Sequence, residues 1–231
     1  MENELAIMLA FTLSGLHFLG EEIDEYLEGY REMVVSFGSG VSVSYIFVRL
    51  LPEFHRAASS SSRFVFSFPL IGFSSVHLAE KYLAKSSITG ERLRKDYAEL
   101  HTGFLFLYHA SIGYLIATLV AESAVSGLLF ILPVVIHVAV SSISVSELHE
   151  ELSRRLSMKL LVSVAPLLGV TIHVLGSIPS RTFTPVFGAV TGMFFYIAVR
   201  DSIPHGEDGR PLEYLAGMTL YLAVMVAASS L

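Results

Sequence analysis

Apolar residues gather into eight nearly continuous blocks, over residues 4–20, 33–52, 64–84, 102–121, 126–147, 157–178, 183–200 and 212–231. Each is close to the roughly 20 residues that a helix needs to cross about 30 Å of hydrocarbon. Backbone N–H and C=O groups find no partner in lipid unless the segment bonds to itself or to a closed ring of strands. Continuous blocks therefore predict helices, whereas a β-barrel would need alternating residues. The pattern predicts an all-α membrane protein with eight transmembrane helices in one domain, residues 1–231.

Composition agrees with this. The chain is 53% hydrophobic and 16% charged, with a mean hydropathy of +0.62, against about 45–50% and about 25% for an ordinary soluble domain. The first block follows Glu2 and Glu4 rather than basic residues, and no small-residue cleavage site comes after it, so it reads as a retained span. The absence of cysteine excludes disulfides and thiolate metal sites. A net charge of −6 without a basic tract argues against a nucleic-acid partner. The connections 2–3, 4–5 and 6–7 hold only Arg49, Arg56, Arg63 and Arg181, and the other connections hold the remaining eleven basic residues. The positive-inside rule then puts both termini outside the cytoplasm. The compact chain, with no long His-rich connection, suggests the plasma (inner) membrane of a prokaryote.

The two ends of the chain resemble one another. Tyr45-Ile46-Phe47-Val48-Arg49, followed by Pro52, is matched by Tyr196-Ile197-Ala198-Val199-Arg200, followed by Pro204. Gly15-Leu16-His17-Phe18-Leu19-Gly20 is matched by Thr171-Ile172-His173-Val174-Leu175-Gly176. Spans 1–3 (residues 1–84) and spans 6–8 (157–231) read as repeats flanking a central pair (101–151). Equivalent spans lie five apart, an odd number, so the second unit enters the membrane in the opposite sense. A 3+2+3 inverted repeat of this kind is a device of secondary transporters, with the substrate site at the repeat interface near mid-membrane.

Ionisable groups inside spans cost a few kcal/mol each and mark functional sites by default. Five of the nine histidines fall inside blocks: His17, His77, His109, His137 and His173. Neutral imidazole suits Zn²⁺, Fe²⁺ and their neighbours. His109 and His137 sit near the middle of the two central spans, with Ser141 and Ser144 one and two turns beyond His137 on the same face. Pro133 frees a carbonyl at membrane depth four residues before His137. Further candidates for a pathway are Glu53, His77, Glu80, Glu147, His149, Glu150, Asp201 and His205. Glu80 with Lys81 reads as an interfacial pair, and Glu147 with Glu150 reads either as an exit for a cation or as a solvated helix end. The charged stretches 21–32 and 91–99 read as ordinary connections.

These residues resemble the ZIP family of divalent-metal transporters over most of the chain. Leu50-Leu51-Pro52-Glu53 is similar to that family's LLPE at the end of its second helix. Gly72-Phe73 through Glu80-Lys81 resembles its third helix, and Gly192 through Val199, with Asp201 and Pro204, its seventh. The resemblance implies metal binding on the fourth and fifth helices, through His-Asn-x-x-(Asp/Glu)-Gly and His-x-x-Pro-Glu-Gly. The matching stretches are His109-Ala110-Ser111-Ile112-Gly113 and His137-Val138-Ala139-Val140-Ser141, so both histidines are kept and the amide and carboxylates are gone.

The expected function is a ZIP-like transporter of a divalent transition-metal cation, zinc first and iron or manganese next, with a divergent site at His109, His137, Ser141 and Ser144. The ion is cargo, and no tightly bound cofactor is expected. A ZIP-fold protein that has lost transport and serves as a binding or regulatory partner is the alternative, favoured by the missing carboxylates. An intramembrane hydrolase lacks support, since HExxH, GxSxG and paired intramembrane carboxylates are absent. The bilayer and the metal ion are the expected partners, with a homodimer as a further possibility.

Overall fold

A computed structural model describes residues 2–19, 28–85, 91–144, 156–176, 178–202 and 209–229. Among them there is no strand, and eight main helices fall on the eight apolar blocks. They are α1 (Glu2–Phe18), α2 (Arg31–Ala58), α3 (Phe68–Lys85) and α4 (Glu91–Glu122). Then follow α5 (Ala124–Ser144), α6 (Leu156–Leu175), α7 (Ser180–Ile197) and α8 (Pro211–Ser229). Four segments are long and apolar enough to cross a membrane: Arg31–Ala58, Thr102–Glu122, Leu156–Leu175 and Arg181–Arg200. They mark the chain as an integral membrane protein. Ala124–Val138 and Pro211–Ala227 are apolar but shorter. Large apolar side chains such as Phe11, Leu70, Tyr82 and Val226 stand exposed on the outer surface, where water would penalise them and lipid does not.

Two elements depart from the expected boundaries. Residues 91–99, read as a connection, are the first turns of α4, which runs 32 residues; Lys95 and Glu99 pair one turn apart at 3.6 Å. The block beginning at residue 64 opens as a 3₁₀ turn, Arg63–Ser67, and the α-helix begins only at Phe68, one residue before Pro69, a site proline tolerates in a first turn.

A π turn lies inside α2 at Ile46–Leu50, and another prolongs α7 past Ile197, at Ala198–Ser202. In α2 the Leu51 N–H donates to the Ile46 carbonyl five residues back. Its neighbour Pro52 has no N–H to give, and the wider turn lets the helix pass the proline and continue to Ala58.

Close helix pairs are made where glycine removes a side chain. A Cβ on Gly72 of α3 would overlap the Ala189 carbonyl of α7, and one on Gly192 of α7 would overlap the Pro69 carbonyl of α3. The pair α2 and α8 repeats this: a Cβ on Gly40 would overlap the Tyr214 carbonyl and one on Gly217 the Phe37 carbonyl. Gly192 and Ala189 lie 152 positions after Gly40 and Phe37, and Gly217 and Tyr214 lie 145 after Gly72 and Pro69. One contact thus maps onto the other by two fixed offsets. The two π turns also lie 152 positions apart. A third such pair joins α4 to α6 through Gly113 against Pro166 and Gly169 against Ala110. In all three each glycine faces the carbonyl three residues before its partner glycine. The contacts beyond it advance along both helices together, as Phe73–Tyr196 and Glu80–Arg200 do, so the partners run parallel. In lipid, where apolar burial gives no advantage to protein over solvent, such backbone approach is the main source of helix affinity.

Helices α2, α4, α5 and α7 meet around a buried aromatic cluster. Tyr45 of α2 packs edge-on against Phe130 of α5 and Phe194 of α7, with centroids 5.7 and 5.9 Å apart. Tyr108 of α4 stacks on the same Phe194 at 4.7 Å. Offset-stacked and edge-on pairs add about 0.5–1.5 kcal/mol each beyond their area.

Candidate metal centre

His109 lies in α4, seven residues after the span begins at Thr102, and only 1% of it is exposed. Its Nδ1 is 2.8 Å from the Leu105 carbonyl of the preceding turn. A carbonyl only accepts, so Nδ1 carries the proton of the neutral ring and Nε2 presents a lone pair. That Nε2 lies 2.6 Å from Nε2 of His17, on the last turn of α1. The two rings meet edge to face, at 79° and 3.9 Å between centroids.

His137 of α5 is 4% exposed, and its Nδ1 lies 3.0 Å from the Ser42 hydroxyl of α2. It meets Phe194 edge-on at 4.6 Å. The stack of Phe194 on Tyr108, and the contact of Tyr108 with His109 at 4.7 Å, then link the two histidines through two rings. His137 is held by α2 and α7, and His109 by its own helix through Leu105 and by α1 through His17. Of the two serines expected beside His137, Ser141 and Ser144 belong to the last turns of α5, where only the backbone is described.

The pathway candidates divide. Glu53 is 8% exposed and forms an ion pair with Arg56 one turn on, whose Nε is 3.0 Å from Oε1. The same guanidinium reaches Glu122 at the end of α4 at 3.0 Å. With Tyr114, Thr118 and His173, these three line a cavity of about 320 Å³ between the ends of α2, α4, α6 and α7. His173 Nδ1 is 3.4 Å from the Thr118 hydroxyl. Glu80 pairs not with Lys81, which is exposed, but with Arg200 of α7, and it accepts the Tyr196 hydroxyl at 2.8 Å. One residue apart on a helix, Glu80 and Lys81 point about 100° away from each other, while α7 brings a cation directly opposite. His77 Nδ1 is 3.3 Å from the same hydroxyl. Asp201 falls in the second π turn, with only its backbone described, and Glu147, His149, Glu150 and His205 lie outside the described residues.

His17 is the residue that sequence reasoning passed over. Its place in an apolar block and its match to His173 were visible, yet nothing in the order of residues brings the end of one helix to the interior of another 92 positions away. Among the described residues no group of three or more His, Asp and Glu is gathered as a preformed metal cluster. Comparison with protein-family models and with curated proteins gives no match.

Proposed function

We propose that this chain is a ZIP-like transporter of a divalent transition-metal cation, zinc first, with its eight helices crossing the membrane as a 3+2+3 inverted repeat. The observation that carries the reading is the burial of His109 and His137, each in the interior of a central helix and each fixed through Nδ1 by a neighbouring oxygen. A buried imidazole oriented by a second hydrogen bond is the usual form of a metal-ligating histidine. The fixed offsets relating α2 with α8 to α7 with α3 support the inverted repeat, and so do the paired π turns. The cavity beside Glu53, Glu122 and His173 supports an outer vestibule, where carboxylates would concentrate a dication before it enters.

A second reading, a ZIP-fold binding or regulatory partner without transport, is favoured by Gly113. This position matches the family's carboxylate, and here a side chain would collide with the Pro166 carbonyl of α6. The place of an acid is thus occupied by helix packing. Metal analysis of the purified full chain, followed by zinc flux into liposomes, separates the two. The transporter reading expects retained metal and flux, both lost in His109→Ala/His137→Ala. Retained metal without flux would establish the second reading instead.

A further inference from the structure

We propose that His17 and His109 together form a metal site for a borderline divalent cation of the zinc type, with their two Nε2 atoms as the protein ligands. The inference rests on the reading above that the chain handles such an ion, and it moves the first ligand pair from α4 and α5 to α1 and α4.

Geometry carries it. Two imidazole nitrogens that face each other at 2.6 Å cannot both present lone pairs without a positive centre between them. Without an ion between them His17 supplies an N–H; in its other neutral tautomer it presents a lone pair instead. His109 cannot change in the same way, because its Nδ1 proton is committed to Leu105. It is therefore a prepared ligand, of the kind in which a backbone carbonyl fixes the tautomer of a metal-bound histidine. Two nitrogens bound to tetrahedral Zn²⁺ at about 2.0–2.1 Å lie about 3.3 Å apart, so the pair needs to open by only about 0.7 Å. A linear two-coordinate ion would need about 4 Å, twice the movement, which disfavours monovalent d¹⁰ ions.

The surroundings permit that opening on one side only. His109 is buried in α4, whose Gly113 is locked against Pro166 of α6. His17 is half-buried on the last turn of α1, and the adjoining Phe18 is held by Lys159 of α6, 4.9 Å from the ring centre. The Lys159 contact sets the end of α1 against the start of α6 and so aims His17 inward. With two protein ligands, water fills the remaining positions, and an ion held this loosely can be passed on. His17 also answers the loss seen on α4: where an acid at Gly113 is sterically barred, a ligand arrives from another helix.

The chain has no cysteine, which makes the test clean. Zn²⁺ and Cd²⁺ are titrated into the full-length detergent-solubilised protein and into His17→Ala, His17→Cys and His137→Ala, with helical content checked by circular dichroism. Expected are a loss of at least tenfold in Zn²⁺ affinity in His17→Ala and an ultraviolet thiolate-to-metal band when Cd²⁺ is added to His17→Cys. The band can come only from position 17, so it reports ligation even if His17→Ala folds poorly. Parental Zn²⁺ affinity in His17→Ala, or no band in His17→Cys, overturns the site. If His137→Ala alone loses the metal, the transporter reading stands and the His17 assignment falls. Metal held through His17 without liposome flux leaves the site standing and removes transport. No binding by the parent overturns both.

Discussion

Tyr196 of α7 donates its hydroxyl proton to Glu80 of α3 across 2.8 Å, and the same carboxylate pairs with Arg200, one turn further along α7. One acid thus ties two helices that also touch backbone to backbone at Gly72 and Gly192. Removing the hydroxyl in Tyr196→Phe is expected to cost about 1 kcal/mol, the net worth of one such bond. Glu80→Gln is expected to cost more, since the largely buried carboxylate loses its ion pair with Arg200 as well as its charge-assisted bond from Tyr196. Denaturant titration in detergent measures both; a smaller loss for Glu80→Gln than for Tyr196→Phe would contradict this ranking.

The glycines separate into two classes. Gly40, Gly72, Gly192 and Gly217 face a partner's backbone, which cannot move aside as a side chain can, so alanine at any of them is expected to destabilise by about 1–3 kcal/mol. Gly15 and Gly103 have nothing within 4 Å of an added Cβ. Alanine there is expected to stabilise by up to about 1 kcal/mol through its better helix propensity. Thermal midpoints of the six variants test the division, which fails if the two classes overlap.

Ser42 orients His137 from another helix. If His137 is a ligand, Ser42→Ala should weaken metal retention about 10–100-fold, as loss of an orienting partner does elsewhere, while circular dichroism stays unchanged. Retention equal to that of the parent would remove His137 from the site.

Arg56 serves two acids of different burial. Its bond to Glu122 joins side chains 58% and 46% exposed, so Glu122→Gln is expected to cost under about 1 kcal/mol, and less still at high salt. Glu53 is only 10% exposed as a side chain. Arg56→Gln strands that carboxylate and is expected to cost several times as much as Glu122→Gln. Denaturation at low and high ionic strength checks both halves; equal costs would show that Glu53 finds another partner.

Sequence by itself settled the helices. Eight apolar blocks fall on eight helices, in which the backbone bonds to itself, and four of them are long and apolar enough to cross a membrane. The likeness of the Tyr45 and Tyr196 segments reappears in the structure as a π turn at each, Ile46–Leu50 and Ala198–Ser202. The sequence pattern misjudged residues 91–99, because charge marks exposure but does not end a helix. Tertiary structure alone decided which side chains meet. Glu80 took Arg200 rather than its neighbour Lys81, and His109 met His17 as well as standing near His137 through two rings. The reason is the close approach permitted by a few glycines. Gly72, Gly192, Gly113 and Gly169 fix which helices touch and at what height. That choice brings residues together from opposite ends of a chain whose local pattern carries no record of it.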